Sequence, residues 1–369
     1  MKKVVLYAYA HGNLGDDLFV RTICERYPNI SFYIQMLPEF DYGLKDLKNL
    51  HIIKRTFYLR IKDRLFRMFN KPSVLFKQIK EADATVLLGG SMFIQGDGDT
   101  WVSKLQQLQS IASASKRFYV IGANFGPYTS DKFVSSYSVL FKKAVDVCFR
   151  DESSRILFDQ LTNVRVGSDV VCSLKLSSLH NNVGEKRQLS IIPISLALRP
   201  KLNKFRLSYY DKMARLIQVG IDKGYNVVLH AFCIDQGDNI AIDEIMSRLP
   251  KTIVDQVSID TYDRDIISSL NKISKANIVV TTRFHGMILG WLSNAMVVPI
   301  KYDIKMDNLL NDLNFQGLSS SISDVQNMSI DEVFRSNTFN INGEQMIQRI
   351  KEQYENPFEK LDALLMNKD

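Results

Sequence analysis

The stretch that decides the fold is NIVVTTRFHGMILGWLSNAMVVPIKYDIK, residues 277–305. Its apolar, β-branched start at residues 278–280 predicts a buried parallel strand, and an apolar helix and a second short strand follow. Ligands of open α/β sheets bind just beyond the carboxyl ends of the strands. We therefore expect Arg283, His285 and Lys305, which follow these strands, to converge on one anionic ligand that needs a proton moved.

The composition is that of a globular protein with apolar cores. The chain has 369 residues, enough for two domains, with 46% hydrophobic and 24% charged residues. No apolar run approaches the roughly eighteen residues of a membrane span, and the apolar run after Met1 indicates a core strand rather than a signal peptide. We therefore expect a cytoplasmic protein whose four cysteines, far apart and without CxxC spacing, are free thiols: Cys24, Cys148, Cys172 and Cys233.

Strand-like and helix-like segments alternate along the chain, and the alternation restarts after a polar linker at residues 180–186. This rhythm is typical of doubly wound α/β domains. We predict an α/β fold of two Rossmann-like doubly wound domains in a GT-B-like arrangement, an N-terminal domain at residues 1–180 and a C-terminal domain at 187–340. Residues 341–369 are predicted to form a helix that packs back on the N-terminal domain.

Two glycine-containing turns are further candidates for a ligand site. In HGNLGDD, residues 11–17, Asp16 or Asp17 can cap a helix predicted to begin at Leu18, and its free N–H groups suit a phosphate or a sugar. A capped turn without a ligand explains that pattern equally well. The second turn, GGS at residues 89–91, ends another predicted strand. The acidic loop GDGDT lacks a third carboxylate at suitable spacing, so we predict no metal site.

The net charge of +7 is concentrated in one segment, because residues 54–80 carry nine Lys or Arg and a single acidic residue. On a helix, Arg60, Arg64 and Arg67 form a basic stripe beside an apolar one, a pattern that suits a membrane surface with anionic lipids. A helix packed on its own domain with a solvated basic edge is the alternative. Nucleic acid is not an expected partner, because no other basic surface accompanies the segment.

Seven motifs together resemble the polysaccharide pyruvyl transferase family: GNLGDD, LLGGS, IGANFGP, FRDESS, GSDVV, TTRFHGMILG and KYDIK. They follow the family's order over residues 12–305, although Ser91 stands where the glycine turn usually has a third glycine. The resemblance implies a GT-B-like fold. It also implies transfer of the enolpyruvyl unit of phosphoenolpyruvate to a sugar, which forms a pyruvate ketal and releases phosphate. The acceptor would be a surface polysaccharide or its lipid-linked precursor.

The resemblance implies catalytic roles for Arg150, His285 and Lys305, with Arg283 beside them. His285 is expected to be the general acid/base, and the three cations to hold phosphate and carboxylate. We expect further substrate contacts from the glycine turns and the strand tips: Asn13, Gly15, Asp16, Gly89, Gly90, Ser91 and Asn124. Phosphoenolpyruvate is the expected donor substrate, on the C-terminal domain, and no cofactor or metal is expected. The acceptor side would be the N-terminal domain, with membrane contact at the inner face through residues 54–80.

The sequence also allows purely structural roles for these residues, and it allows other functions. His285 could be a histidine satisfied at a strand end, and the three cations could form salt bridges. A GT-B glycosyltransferase that uses a nucleotide sugar would need a ribose-binding carboxylate, which Asp235, Asp238 or Asp243 could supply. A non-catalytic carbohydrate-binding or scaffolding protein of polysaccharide assembly would need no chemistry from these residues.

Overall fold

The computed structural model describes residues 1–59, 61, 73–96, 98–175, 187–335 and 343–366. The chain forms two compact units. The first comprises Met1–His11, Asp16–Ser173 and Tyr354–Asp369, and the second comprises Gly12–Gly15 and Leu174–Gln353. Each unit contains one parallel sheet with helices between its strands, so each is a doubly wound α/β unit, as the alternating pattern predicts.

The sheet of the first unit has seven parallel strands: β1 (Lys3–Ala8), β2 (Ser31–Met36), β3 (Leu50–Lys54), β4 (Ala84–Phe93), β5 (Phe118–Phe125), β6 (Asp146–Phe149) and β7 (Val164–Val166). Their order is β3-β2-β1-β4-β5-β6-β7. The buried Val5 of β1 lies opposite Tyr33 of β2 on one side and Thr85 of β4 on the other. The strand order therefore reverses between β1 and β4, which is where sheets of this type bind ligands.

The helices of the first unit pack an aromatic core against this sheet. They are α1 (Leu14–Arg26), whose first two residues count with the second unit, α2 (Val74–Glu81), α3 (Thr100–Ala114), α4 (Asp131–Phe141) and α5 (Glu152–Ile156). Phe93 on β4 packs edge-on against Tyr137 and Phe141 of α4, with ring centroids 5.2 and 5.1 Å apart. Ser130 and Asp151 cap α4 and α5 by accepting backbone N–H groups of the first turn.

The sheet of the second unit has six parallel strands: β8 (Gln188–Ile192), β9 (Asn226–Ala231), β10 (Val257–Thr261), β11 (Ile278–Thr281), β12 (Met296–Lys301) and β13 (Ser320–Ser321). Their order is β10-β9-β8-β11-β12-β13, so the reversal lies between β8 and β11. The helices are α6 (Arg206–Asp222), α7 (Asp238–Met246), α8 (Lys251–Val254), α9 (Ile266–Ile273), α10 (Phe284–Leu292), α11 (Ile304–Asp312), α12 (Ile330–Val333) and α13 (Gly343–Gln353).

The predicted single helix at the C-terminus is wrong, because residues 343–366 form two helices. The first, α13, belongs to the second unit, where Gly343 lies so close to Trp291 that a Cβ would sit 2.3 Å from its carbonyl oxygen. The second, α14 (Glu359–Leu365), belongs to the first unit. Pro357 stands between them, and proline lacks the N–H group that a continuous helix would use.

Two predicted boundaries near the glycine turns are also wrong. Strand β4 does not end in a turn at Gly89 but continues to Phe93, with positive φ at Gly89 and Gly90 (+81° and +63°) and a register shift against β5. Glycine adopts these angles without a Cβ penalty, so the strand bulges instead of ending. Helix α1 begins at Leu14 rather than Leu18, because Asn13 Oδ1 accepts the N–H of Gly15 at 3.0 Å.

The predicted free thiols are confirmed, since all four cysteines are free and buried. Residues 60 and 62–72, most of the predicted basic amphipathic helix, lie outside the described residues. Beside that stretch, Phe57, Tyr58 and Ile61 are exposed. No helix of the described residues combines the length and the apolarity needed to cross a membrane.

Candidate active site

The segment that carries the chemistry is held by hydrogen bonds at the end of β11. Thr281 Oγ1 accepts the N–H of Arg283 at 3.0 Å, and Thr282 N–H donates to the carbonyl of Ile192 on β8 at 2.9 Å. The buried Thr282 hydroxyl also bonds the Tyr209 hydroxyl at 2.6 Å. Residues 281–283 are therefore fixed at the reversal point between β8 and β11 before helix α10 begins.

Gly286 lies inside α10, where the helix packs against the ends of β8 and β11. A Cβ on this residue would sit 2.4 Å from Thr281 Oγ1 and 2.8 Å from Ile192 Cδ1. Real Cβ atoms do not approach other atoms so closely, so the glycine is needed for close packing of the helix on the two strands. This packing sets the start of α10 directly above the strand ends.

His285, the second residue of α10, lies against the first turn of α1. A Cβ on Gly15 would be only 1.9 Å from His285 Nδ1. Leu14 N–H donates to the Phe232 carbonyl at 3.1 Å, so residues 12–15 are part of the second unit. The structure thus brings together Gly15 and His285, two predicted site residues 270 positions apart. The amino end of α10 lies here, and helix amino ends suit anions.

Arg283 is buried in an ion pair and is not an open cation. Its guanidinium bonds the Asp238 carboxylate and the Gln236 side-chain oxygen, and its side chain is 8% exposed. Asp238 also accepts the N–H groups of Phe232 and Cys233, each at 3.0 Å. Burial acts to lower the pKa of Arg283, but the Asp238 carboxylate holds it above its ordinary value. Arg283 therefore anchors the loop before α7 to the end of β11.

Lys305 lies in the first turn of α11 and points toward Tyr302. Its Nζ is 3.5 Å from Asp303 Oδ2 and 5.8 Å from the centroid of the Tyr302 ring. Arg199 approaches the same ring, with Cζ 5.6 Å from the centroid. Arg199, seven residues after the end of β8, is not among the site residues predicted from the sequence. Its position in LALRP, shortly after an apolar run, was the available signal.

The remaining predicted cation, Arg150, belongs to a buried cluster of the first unit. Its guanidinium donates to Asn124 Oδ1 at 2.6 Å and to Asp169 Oδ2 at 2.9 Å. Ser91 donates its hydroxyl to the same Asn124 oxygen at 3.1 Å. Three predicted site residues from β4, β5 and the end of β6 are therefore joined through one amide. Arg150 and Asp169 are each only 3% exposed at the side chain, and each charge is compensated by the other.

Gly89, Gly90 and Asp16 meet near the reversal point of the first sheet. A Cβ on Gly89 would lie 2.3 Å from the Phe19 ring, and one on Gly90 would lie 3.3 Å from Asp16 Oδ1. The glycines thus let α1 approach β4 closely and place the Asp16 carboxylate beside the bulge. Within the described ranges, no three His, Cys, Asp or Glu side chains are close enough together to hold a metal ion.

Comparison with solved structures defines the class of fold. The chain superposes on S. aureus MnaA bound to UDP with a TM-score of 0.61, 9% identity and coverage of 99% of this chain and 95% of that one. It superposes on Anabaena HepE bound to UDP-glucose with a TM-score of 0.61, 12% identity and coverage of 99% and 98%. The predicted GT-B-like fold of two Rossmann-like domains is confirmed.

Within that fold class the sequence identifies the family. The family model for polysaccharide pyruvyl transferase matches residues 13–304, and the chain belongs to this family. A curated relative, the amylovoran biosynthesis protein AmsJ of Erwinia amylovora, is 22% identical over 382 residues, which covers 89% of each chain. Membership of the family supports a role as a transferase in polysaccharide modification.

Proposed function

We propose that this protein transfers the enolpyruvyl unit of phosphoenolpyruvate to a sugar of a surface polysaccharide or of its lipid-linked precursor. The products would be a pyruvate ketal on the sugar and free phosphate. The observation that carries the proposal is the position of His285. It lies at the reversal point of the second sheet, on the first turn of α10 and against Gly15 of α1. Family membership supports the choice of donor.

The reaction needs two proton transfers that suit a histidine. In the first step a sugar hydroxyl forms a bond to C2 of phosphoenolpyruvate and loses its proton, while C3 gains a proton and becomes a methyl group. A second hydroxyl of the sugar then displaces phosphate from C2. The proton of that hydroxyl is taken up by the leaving phosphate. In our proposal His285 is the general acid/base, a role worth about 10²–10⁴-fold in rate.

The donor carries a phosphate and a carboxylate, so it needs fixed positive charge. In the proposal Lys305 and Arg199, which flank Tyr302, bind these groups. The amino end of α10, where His285 lies, adds N–H donors for an anion. Arg283 supports the site through its pair with Asp238 and not by binding the donor directly. No cofactor and no metal take part in the proposed reaction.

The substrate contacts predicted for the first unit remain part of the proposal. Arg150 holds the Asn124 amide, which Ser91 also contacts, so the amide nitrogen is oriented as a donor to a sugar hydroxyl. Gly89 and Gly90 at the bulge have no side chains, and their backbone lies beside the Asp16 carboxylate. From the second unit, Asn13 and Gly15 form the turn against His285.

We propose that the enzyme works in the cytoplasm and contacts the inner face of the membrane when its acceptor is lipid-linked. The exposed Phe57, Tyr58 and Ile61 and the basic composition of residues 54–80 support this contact. Replacing Arg60, Arg64 and Arg67 by Glu should weaken flotation with anionic liposomes and spare activity on a soluble acceptor. Equal loss on soluble and lipid-linked acceptors would contradict membrane contact.

The proposal is tested on the native polymer. Mass spectra of the surface polysaccharide should show a pyruvyl substituent in cells with the wild-type gene and none in cells with His285→Ala. His51→Ala, which changes an exposed histidine on β3, is the matched control and should keep the substituent. Full substitution in the His285→Ala strain would contradict the catalytic role and favour a non-catalytic assembly protein.

A further inference from the structure

A cavity of about 220 Å³ lies at the carboxyl edge of the first unit's sheet, and the reaction proposed above does not assign it. Its lining includes Tyr7 and Tyr9 from the end of β1 and Gln35 from the end of β2. Arg55 follows β3, and Lys104 reaches the cavity from α3. The carboxyl ends of parallel strands are the usual ligand edge of a doubly wound sheet, so the position is that of a binding site.

Two cations, Arg55 and Lys104, face this cavity. Among the described residues, no acidic side chain lines the cavity, and neither Arg55 nor Lys104 forms an ion pair. Lys104 Nζ donates to the Met92 carbonyl at 2.5 Å, a neutral partner. Burial lowers the pKa of Lys104, because desolvation disfavours its charged form. An anion in the cavity would compensate this partly buried charge.

Aromatic surfaces form another side of the cavity. Tyr9 stacks on His11 with ring centroids 4.3 Å apart and planes 24° apart, and His11 in turn contacts Phe40 at 5.1 Å. Tyr7 is half-buried on the same strand. Ligand sites typically combine such apolar surfaces with a few polar groups that fix orientation. The Gln35 amide can both donate to and accept from sugar hydroxyls.

The size of the cavity suits a small ligand. Its volume of about 220 Å³ is several times the roughly 30 Å³ that one water molecule occupies in the liquid. A single sugar ring is therefore a ligand of suitable size, either as a monosaccharide or as one residue of a longer chain.

We infer that this cavity binds an acidic sugar, with its ring against Tyr7 and Tyr9 and its carboxylate or phosphate between Arg55 and Lys104. That this sugar is the acceptor of the reaction rests on the proposed function, whereas its binding in the cavity can be tested independently of that function. An arginine binds such an anion through two parallel hydrogen bonds, while the lysine acts as a point charge.

Direct titration of the full-length protein tests the inference without any phosphoenolpyruvate. The probes are methyl β-glucuronide, glucose 1-phosphate, methyl β-glucoside and inorganic phosphate. We expect at least one acidic sugar to bind about tenfold or more tightly than methyl β-glucoside and than inorganic phosphate. The glucuronide and the sugar phosphate separate the two sources of negative charge. Equal affinity for the neutral glucoside, or equal affinity for phosphate alone, would overturn the inference.

Variants locate the binding. Arg55→Gln and Lys104→Gln should each weaken the acidic sugar by about tenfold and leave the neutral glucoside unchanged. Lys132→Gln, which removes an exposed charge on α4, is the control and should change neither. Arg55 is exposed, so its variant should fold even if Lys104→Gln does not. Unchanged binding in Arg55→Gln would overturn the inference.

Transfer assays then test the binding role of the cavity and the proposed reaction independently. Arg55-dependent binding in a protein that does not consume phosphoenolpyruvate would support the cavity and contradict the proposed function. Consumption of phosphoenolpyruvate at wild-type rates by Arg55→Gln on every acceptor, with acidic sugars bound equally well, would support the function and contradict the cavity.

Discussion

Gly15 and His285 are in direct contact, and the space between them leaves no room for a methyl group. Gly15→Ala would place a Cβ 1.9 Å from His285 Nδ1, so the imidazole must move. Displacing a catalytic group by about 1 Å can cost roughly 10²-fold in rate. We therefore expect Gly15→Ala to lower phosphate release from phosphoenolpyruvate about a hundredfold. Alanine favours helix over glycine by about 1 kcal/mol, which works against a loss of helix α1.

Gly96→Ala is the control for this substitution. Among the described residues, the atom nearest to its Cβ would be Thr100 Oγ1 at 3.3 Å, so the rate of Gly96→Ala should remain near wild type. A Gly15→Ala enzyme as fast as Gly96→Ala would show that the position of His285 does not govern the reaction.

The Asp238 carboxylate compensates the buried positive charge of Arg283. Removing one member of a buried ion pair typically costs about 3–5 kcal/mol, because the other charge remains buried without compensation. We expect Asp238→Asn to lower the free energy of unfolding, measured in urea, by this amount. Asp211→Asn breaks a pair whose carboxylate is 66% exposed, and should cost about 0–1 kcal/mol. Equal losses in the two variants would contradict a structural role for the Arg283 pair.

The sequence predicted which residues stand at the strand ends, because that follows from hydrophobic runs and their boundaries. It did not predict which cations are neutralised. Arg283 and Asp238 are 45 positions apart, and Arg150 and Asp169 are 19 apart on different elements. Such pairs depend on how strands are ordered in the sheet, which local pattern does not specify. For the same reason the sequence did not predict Arg199 as a site residue, because its contact with Tyr302 appears only in the folded chain.

At the scale of elements, strands β8, β9 and β10 are joined by a buried polar network. His230 Nδ1 lies 3.0 Å from Asp260 Oδ2, and its Nε2 lies 3.0 Å from Ser190 Oγ. Lys272 of α9 also contacts Asp260. Burial acts to raise the pKa of Asp260, but the hydrogen bonds from His230 and Lys272 hold it below its ordinary value.

This network makes stability depend on pH in a defined direction. Since the folded-state pKa of Asp260 is depressed, its stabilisation is fully present above the unfolded pKa of about 4 and is lost as the pH falls through the folded value. We expect the gap in unfolding free energy between wild type and Asp260→Asn to be constant from about pH 7 to pH 5. The gap should shrink below about pH 4.

Urea unfolding at several pH values measures this gap. Asp222→Asn, at the exposed end of α6, is the control and should show a small gap that does not change with pH. A gap for Asp260→Asn that stays the same down to about pH 3 would contradict the ionised Asp260 of the network.

Element boundaries were predicted well where one local signal decides them and poorly where packing decides them. Strand β11 and the capping of α5 by Asp151 follow from an apolar run and an N-cap residue. The continuation of β4 through Gly89 and Gly90 depends on Phe19 of α1 filling the space beside them, which the sequence does not show. The break before α14 had a signal in Pro357, but the helical periodicity on either side outweighed it in the prediction.

At the scale of the whole molecule, the two sheets repeat one design. In both, the first strand of the unit has the second strand on one side and the fourth on the other, and the strand order reverses there. The alternating pattern predicted this doubling because parallel strands need helical connections. The pattern carries no information on chemistry. That came from the motifs, and the family match over residues 13–304 agrees with them.

One assay decides whether phosphoenolpyruvate is the donor, as we propose. The purified protein is given labelled phosphoenolpyruvate or UDP-sugars, together with lipid extract and soluble polysaccharide from cells that lack the gene. We expect phosphate release with the pyruvyl label transferred to one of these acceptors, and loss of both in His285→Ala. Release of UDP without consumption of phosphoenolpyruvate would contradict it and identify the protein as a glycosyltransferase.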